Sequence, residues 1–377
     1  MKKIMMFLAF YPSFAIDMAH LRTIADAAVM PHIKTAQNDL EACSAIAVGI
    51  VAGGTNIICG YGVSTDGIHA PDGESIFQIG SVSKVFTGLI LARMMVESGG
   101  AMHADDAVTA YLHEDLAVPP IRAVTLGELV SHHAGFPAMP PFGDRNGDGR
   151  PDTAIDPMSP ASGYSRGELS AYLATFVRPE KKYRYSNIGI GLLAIALEDK
   201  CGAKDFHDML STYVLRDLGM GSTWGEFGRM DMHARGRIVQ GYTYATAKQR
   251  ARIPGRVAEM GVLAGAGAVV TTANDMCTFI RALTGAPTAL DAAASLAVSP
   301  MGDGANGEQI CFAVDREIKD GVTFYKKNGV TPSYSAYLMF RRDMPLGVIV
   351  LANAGNFRPV RTIGEKLMEA GAGRVLR

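Results

Sequence analysis

The strand-forming segments of this chain lie at its two ends, and this arrangement constrains the fold more than any other feature. Two apolar, β-rich runs at residues 45–52 and 56–63 flank the turn Gly53-Gly54-Thr55 and predict a β-hairpin. Three more strand candidates lie near the other end, at residues 325–327, 334–340 and 346–353. A helix is predicted at residues 359–370, and Gly371 is expected to stop it.

The middle of the chain has the pattern of helices. Residues 82–96 are apolar on nearly every face, which predicts a helix that is buried on all sides. Further helices or turns are predicted at residues 126–130, 167–176, 188–198 and 206–215. The segment 137–160 is rich in Pro, Gly and Asp and is predicted to be a long surface loop.

This order predicts an α+β fold, in which an antiparallel sheet built from both chain ends is flanked by terminal helices and packs against a mostly helical region. We expect a single domain at residues 16–377. Its α/β part would comprise about 30–80 and 235–377, and its helical part about 81–234. The long connection between the sheet halves is tolerable because the entropy of loop closure grows slowly with length.

Composition excludes some classes of partner. The chain has 36 basic and 37 acidic residues and a net charge of −1, so it lacks the basic footprint of a nucleic-acid-binding protein. The five cysteines, at 43, 59, 201, 277 and 311, have no metal-ligand spacing and are expected to be small buried residues, although one disulfide stays open if the protein is exported.

The N-terminus has the features of a secretory signal peptide. Lys2 and Lys3 precede a mostly apolar run at residues 4–15, and Ser13-Phe14-Ala15 offers small residues where a signal peptidase would cleave. The run is too short to span a bilayer. We therefore predict a signal peptide at residues 1–15 and a periplasmic or secreted protein without stable membrane insertion; the alternative is a buried N-terminal helix.

The strongest chemical motif is Ser81-Val82-Ser83-Lys84. A serine hydroxyl needs a base to become a nucleophile. If Ser81 begins a helix, Lys84 lies one turn on at the same face, and a buried amine can lose its proton near neutral pH. Lys84 lies in an almost wholly apolar helix, where an unpaired ammonium would be unfavourable. The alternative is an N-cap serine with a solvated lysine.

Two further motifs can contribute to the same cleft. Tyr185-Ser186-Asn187 precedes an apolar helix, so Tyr185 could relay a proton and Asn187 could hold a substrate carbonyl. Lys327-Asn328-Gly329 lies at the end of a predicted strand, where Lys327 could present its charge to a ligand. The backbone N–H groups of Ser81 and Val330 could then form an oxyanion hole. Each of these motifs alone also fits an ordinary turn.

In type and chain order, the three motifs together resemble those of the penicillin-binding and serine β-lactamase superfamily. The chain is similar to class C β-lactamases, DD-peptidases and β-lactamase-like esterases over roughly residues 40–365. The resemblance implies a β-lactamase/DD-peptidase-like fold, with Ser81, Lys84 and Tyr185 as catalytic residues. It also implies that Asn187, Lys327, Asn328 and Gly329 bind substrate, and that no cofactor takes part in catalysis.

The resemblance implies a serine hydrolase that forms an acyl-enzyme with D-Ala-D-Ala peptides or β-lactams. A carboxylesterase acting on small esters is an alternative, and a non-catalytic peptidoglycan-binding or sensor domain is an alternative of another class. Asn328 departs from the family, in which threonine usually follows the lysine and helps to hold a substrate carboxylate. This departure leaves the preference for carboxylated substrates open, whereas retention of Lys327 favours it.

Three other features of the sequence lie outside these motifs. Gly163-Tyr164-Ser165-Arg166-Gly167 matches the nucleophile elbow of α/β-hydrolases, but the Pro- and Ser-rich residues before it cannot form the required strand, and Ser165 with Glu168 predicts a capping box instead. His132 and His133 are expected to be structural. A structural calcium site is predicted in an acidic, glycine-containing loop, with these ligands: Asp144, Asn146, Asp148 and Asp152.

Overall fold

The computed structural model describes residues 18–33, 43–140, 156–244 and 252–373, and the structural statements below refer to these. Its α-helices are α1 Met18–Val29, α2 Ser83–Glu97, α3 Leu126–Val130, α4 Arg166–Ala174, α5 Asn187–Cys201, α6 Phe206–Leu210, α7 Arg216–Leu218, α8 Met232–Arg235, α9 Ala273–Leu283, α10 Asp291–Ala297 and α11 Phe357–Gly373. Its strands are β1 Ala45–Ala52, β2 Thr55–Gly62, β3 Ile76–Gln78, β4 Tyr242–Tyr244, β5 Arg252–Pro254, β6 Val270–Thr272, β7 Gly302–Asp303, β8 Gln309–Ile310, β9 Asp315–Lys319, β10 Val322–Val330, β11 Ser335–Arg341 and β12 Leu346–Ala352.

The main sheet joins the two ends of the chain. Its strand order is β2-β1-β12-β11-β10-β9-β8-β7, and the neighbouring strands are antiparallel. Strand β1 pairs with β2 in the predicted hairpin and, on its other side, with β12, where Ile46 lies opposite Ala352. The predicted α+β fold with an antiparallel sheet is therefore confirmed.

Both faces of this sheet are covered, which explains the continuous apolar sequence of β1. Alternate residues of β1 point to opposite faces. Ala45, Ala47 and Val51 pack in the core shared with the helical region, whereas Ile46 and Val48 pack in the core shared with α1 and α11. Every residue of β1 is consequently buried.

The buried helix α2 lies in the core between the sheet and the other helices. It packs against α10 and α5, and its residues from Ser83 to Ala92 are all buried. The first strand of a small separate sheet, β3, pairs with β6 and leads directly into the 3₁₀ turn Gly80–Val82 before α2 begins. This turn carries Ser81, so β3 fixes the direction in which the chain enters the helix.

The ends of some elements differ from the predictions. Gly371 does not stop α11, which continues to Gly373. A Cβ at Gly371 would lie 2.8 Å from a side-chain atom of Leu346, so this glycine allows the helix to approach β12 closely. The helix beginning at Phe206 contains a π-helical turn at Ser211–Leu215 before α7.

Ser165 is not placed at a nucleophile elbow. It is the exposed N-cap of α4, and its side chain accepts a hydrogen bond from the backbone N–H of Glu168, as the predicted capping box requires. The cysteines at 43, 59, 277 and 311 are buried, as expected, and Cys201 is half-buried. Among the helices of the described residues, none has both the length and the apolar character that a membrane span requires.

Candidate active site

Ser81 is held at the start of α2 by a tight backbone turn. Gly80 has a φ of +50°, a left-handed conformation that glycine adopts without steric cost. A Cβ at Gly80 would lie 2.7 Å from the backbone nitrogen of Val330, so the turn packs directly against β10. The N–H groups in the first turn of a helix lack intrahelical partners. The backbone N–H of Ser81 is therefore available near that of Val330.

Lys84 lies one turn further on α2 and is completely buried. Its Nζ is 3.1 Å from Oγ of Ser81, 2.6 Å from Oδ1 of Asn187 and 2.5 Å from the backbone oxygen of Ala266. Burial lowers the pKa of Lys84 well below its ordinary value, and the nearby charge of Lys327 lowers it further. The sequence prediction that Lys84 lies beside the Ser81 hydroxyl agrees with this geometry.

The hydrogen-bond donors and acceptors around Lys84 match those of an uncharged amine. A neutral Lys84 has two N–H donors, which match the oxygens of Asn187 and Ala266, and one lone pair, which can accept the proton of Ser81. The hydroxyl of Tyr185 lies 2.5 Å from Oγ of Ser81 and can donate to it. Burial raises the pKa of Tyr185, which keeps the phenol protonated for that bond.

The Tyr185-Ser186-Asn187 motif forms the N-terminus of α5. The Ser186 side chain caps this helix by accepting a hydrogen bond from the N–H of Gly189. Asn187 is the first residue of α5, where its Oδ1 accepts from Lys84 and its Nδ2 donates to the sulfur of Met139. Tyr185, just before this cap, therefore reaches Ser81, and Asn187, just after it, reaches Lys84.

The third motif lies on β10, and Gly329 brings it against the Ser81 turn. A Cβ at Gly329 would lie 1.9 Å from the backbone oxygen of Ile79 and 3.0 Å from the backbone nitrogen of Ser81. Only glycine allows this approach. Nζ of Lys327 lies 5.5 Å from the centre of the Tyr185 ring, and Asn328 is exposed in the cleft.

These groups share one open cleft with a volume of about 890 Å³. Its lining includes the following residues from the three motifs: Ser81, Tyr185, Asn187, Lys327, Asn328 and Val330. The structure therefore brings together the residues that the sequence analysis selected from three distant segments. The arrangement can deprotonate a hydroxyl, deliver it to a carbonyl and stabilise the resulting oxyanion.

Three acidic contacts in the cleft were not predicted from the sequence. Oδ2 of Asp315, on β9, lies 3.3 Å from Nζ of Lys327. On the preceding residue of β10, Nζ of Lys326 lies 2.6 Å from a Glu308 oxygen and 2.7 Å from a Glu317 oxygen. No spacing rule links these acids to the Lys-Asn-Gly motif, because strand pairing and chain reversal bring them together.

His132 packs against the tyrosine motif in the interior of the protein. It is buried, with a φ of +63°, and its ring centre lies 4.7 Å from that of Tyr185. Its Nδ1 accepts a hydrogen bond from the backbone N–H of Ser186. Burial and the nearby lysines lower the pKa of His132 well below its ordinary value, so the ring is neutral at physiological pH. The contacts of its Nδ1 fit the structural role expected from sequence.

Two predictions fall outside the described residues. The calcium loop, with Asp144, Asn146, Asp148 and Asp152, lies in the segment 141–155, and the signal peptide lies in the segment 1–17. Both stay predictions from the sequence.

Comparison with known structures identifies the class of fold. A class C β-lactamase from Rhodobacter sphaeroides superimposes with a TM-score of 0.74 at 21% identity, over 95% of this chain and 99% of that one. A second class C β-lactamase gives a TM-score of 0.77 at 18% identity, over 94% and 98% of the two chains. The fold is thus β-lactamase/transpeptidase-like. The chain belongs to the β-lactamase family, because the family model described as Beta-lactamase matches residues 33–372.

The curated relatives are longer than this chain. A penicillin-binding protein of Bacillus subtilis (strain 168) is 24% identical over 293 residues, which is 74% of this chain and 61% of that protein. An unguisins hydrolase of Aspergillus campestris (strain IBT 28561) is 24% identical over 248 residues, or 63% of this chain and 43% of that protein. The matched region therefore spans less than two thirds of either relative.

Proposed function

We propose that this chain is a serine acyl hydrolase that acts through an acyl-enzyme on Ser81. One observation carries the proposal: Oγ of Ser81 lies 3.1 Å from the amine of a fully buried lysine and 2.5 Å from the phenol of the half-buried Tyr185. A buried amine whose pKa is lowered can accept a proton at neutral pH, which is what a serine nucleophile requires.

In the proposed reaction, Lys84 accepts the hydroxyl proton as Oγ of Ser81 bonds to the substrate carbonyl carbon. The backbone N–H groups of Ser81 and Val330 stabilise the tetrahedral oxyanion. When this intermediate collapses, the bond to the leaving group breaks and the leaving group takes a proton from Tyr185. The proton held on Lys84 then restores the phenol. Water hydrolyses the acyl-enzyme, which releases the acid and returns the Ser81 hydroxyl.

The family resemblance supports D-Ala-D-Ala peptides or β-lactams as substrates, with Asn187 and Lys327 orienting them. The solved neighbours are named class C β-lactamases, and one curated relative is named a penicillin-binding protein. A second candidate is a carboxylesterase acting on small esters. The ion pair between Lys327 and Asp315 favours this candidate, because it occupies the cation that a substrate carboxylate would otherwise contact.

The proposed reaction is tested by comparing wild type with Ser81→Ala and Ser165→Ala. Each protein is incubated with a fluorescent penicillin, nitrocefin, a D-Ala-D-Ala peptide and a short-chain nitrophenyl ester. Wild type and Ser165→Ala should turn over at least one substrate, or form a covalent adduct, and Ser81→Ala should do neither. Ser165 is a matched control because it is also a serine at the start of a helix, but it lies outside the cleft.

A non-catalytic peptidoglycan-binding or sensor domain gives a different result. Binding without any Ser81-dependent adduct or turnover in wild type would reject the hydrolase and favour the binding module. Export to the periplasm or the exterior is also proposed, on the basis of the N-terminal sequence. N-terminal sequencing of the protein recovered from its native host tests whether residues 1–15 are removed.

A further inference from the structure

The cation of the third motif already has an anionic partner within the protein. Lys327 is 3% exposed, and its Nζ lies 3.3 Å from Oδ2 of Asp315, whose side chain is 18% exposed. Both residues line the cleft that contains Ser81. A substrate carboxylate placed beside Lys327 would therefore also lie close to the Asp315 carboxylate. The attraction to Lys327 would be offset by repulsion from Asp315.

The neighbouring charges strengthen this effect. Lys326 is paired with both Glu308 and Glu317, so two carboxylates surround one ammonium. All three residues line the cleft. The lysines 326 and 327 thus face three carboxylates from β9 and the segment before it. This part of the cleft has a local excess of negative charge.

The remaining groups on this side do not reverse the balance. Arg361, on α11, also lines the cleft, but its Nε lies 2.8 Å from a carboxylate oxygen of Glu365. Asn328 is exposed and carries a neutral amide. Each of the cations Lys326, Lys327 and Arg361 is therefore paired with at least one carboxylate. No group among these offers an unpaired positive charge to a ligand.

We infer that the site accepts acyl donors in which the substituent placed beside Lys327 is either uncharged or an amine. Asp315 disfavours substrates that place a carboxylate at that position. This inference rests on the proposed function, because it concerns the substrate of the same Ser81 reaction. It names the substrate class as neutral or amine-bearing esters and amides. Asp315 is thus a specificity-determining residue that acts through its ion pair with Lys327.

The test uses two matched series of aryl esters, with the varied substituent on the leaving phenol in one and on the acyl chain in the other. In each series the substituent is a carboxylate, a carboxamide or an aminomethyl group. Each kcat/KM value is divided by the rate constant for hydroxide hydrolysis of the same ester, which corrects for differences in intrinsic reactivity. The readout is the carboxylate-to-carboxamide ratio within one protein, which does not depend on the fraction of correctly folded enzyme.

One of the two series has a substituent that reaches Lys327. In that series, we expect wild type to have a normalised kcat/KM roughly tenfold lower for the carboxylate ester than for the carboxamide ester. The aminomethyl ester should react no more slowly than the carboxamide ester. Asp315→Asn should raise the carboxylate-to-carboxamide ratio by about tenfold or more. Asp315→Glu, which keeps the charge, should retain the wild-type preference. Asp343→Asn is the matched control, because Asp343 pairs with Arg341 outside the cleft and its removal changes the net charge equally.

The inference is overturned if wild type shows no penalty for the carboxylate ester in either series, or if Asp315→Asn leaves both ratios at their wild-type values. In those cases Ser81-dependent turnover of the neutral ester would still support the proposed function. If wild type hydrolyses none of the esters and forms no Ser81-dependent adduct with any probe, the proposed function fails and the inference fails with it.

Discussion

The phenol of Tyr185 lies 2.5 Å from the hydroxyl oxygen of Ser81, and both half-buried residues line the same cleft. Burial raises the pKa of Tyr185, so the phenol stays protonated and can donate to Ser81. In the proposed reaction, Ser81 then directs its own proton to an uncharged Lys84. The direction of the two bonds separates the roles that we propose for the amine and the phenol.

Replacement of Tyr185 by phenylalanine tests the role of the phenol. The ring and its contacts with Lys84 and Lys327 would remain, but the proton donor would be lost. We expect kcat/KM to fall by roughly 10²- to 10⁴-fold with little change in thermal unfolding. Tyr61→Phe is the control, because it removes a hydroxyl that donates to Asp26 on the other side of the sheet. Equal losses in both variants would contradict the proposed role.

The lowered pKa of Lys84 predicts a pH-dependent stability difference. Between its folded-state pKa and the ordinary value of 10.5, the unfolded chain binds a proton that the folded protein does not. Stability therefore rises with pH in this window, by about 1.4 kcal/mol per unit relative to Lys84→Met. Urea unfolding of both proteins at about pH 8.5 and 9.5 measures the difference. Parallel changes in the two proteins would show that Lys84 is charged in the fold.

The close approach of β10 to the Ser81 turn predicts that the oxyanion hole does not tolerate a side chain at Gly329. In Gly329→Ala, the added Cβ would lie 1.9 Å from the Ile79 oxygen, so β10 must move away from Ser81. We expect kcat to fall by roughly 10²- to 10³-fold, as for the loss of one oxyanion donor. Gly228→Ala is the control, because a Cβ there meets no atom within 4 Å. Activity near the wild-type value in Gly329→Ala would argue against the N–H groups of Ser81 and Val330 acting together.

Glu198, near the C-terminus of α5, predicts a loss of stability as pH rises. Burial first, and then the acids Glu226, Asp205 and Asp199, raise its pKa from 4.5 to about 8. The folded protein therefore holds a proton between these values that the unfolded chain releases, and stability falls across that window. As the pH rises from 5 to 8, the stability of Glu198→Gln should increase relative to that of wild type by about 3 to 4 kcal/mol.

Chemical unfolding of wild type and Glu198→Gln at about pH 5 and about pH 8 measures this difference in stability. The exposed residue Glu114 provides the control, since Glu114→Gln should follow the wild-type pH dependence. If Glu198→Gln also follows wild type, the Glu198 carboxyl is ionised in the folded protein.

The predicted calcium loop is tested by metal removal. If residues such as Asp148 bind calcium, millimolar calcium should raise the melting temperature of chelator-treated protein, and magnesium should do so much less. Asp148→Ala should abolish the response, whereas the exposed residue Asp105 gives a control variant, Asp105→Ala, that retains it. A response unchanged in Asp148→Ala would place any calcium elsewhere.

The long elements of the fold could be predicted from sequence because their apolar runs extend over enough residues. Strand β1 and helix α2 are examples, since both are buried and bounded by glycine-containing turns. Strands β3, β6 and β7 have only two or three residues, which is too short for any period to be recognised. The expected stop at Gly371 was wrong because glycine serves close packing there rather than capping.

The candidate site was predictable where residue type and short spacing carry the chemistry, as for Ser81 and Lys84. The partners supplied by tertiary structure were not. Asp315 reaches Lys327 through the pairing of β9 with β10, and the backbone oxygen of Ala266 reaches Lys84 from a distant 3₁₀ segment. Such partners have no local signal, because a backbone carbonyl carries no sequence information and an acid can lie at many positions along a paired strand.

The pairing of β1 with β12 has a consequence for biosynthesis. On the ribosome, the apolar β1 emerges long before the strand that covers its edge, and β10, which carries Lys327, also emerges late. Contacts between such distant segments form slowly, and a nascent chain lacking β12 exposes an unpaired apolar strand. The edge of β1 that β12 covers therefore stays unpaired until β12 has been synthesised, and the cleft cannot be assembled before β10 is made.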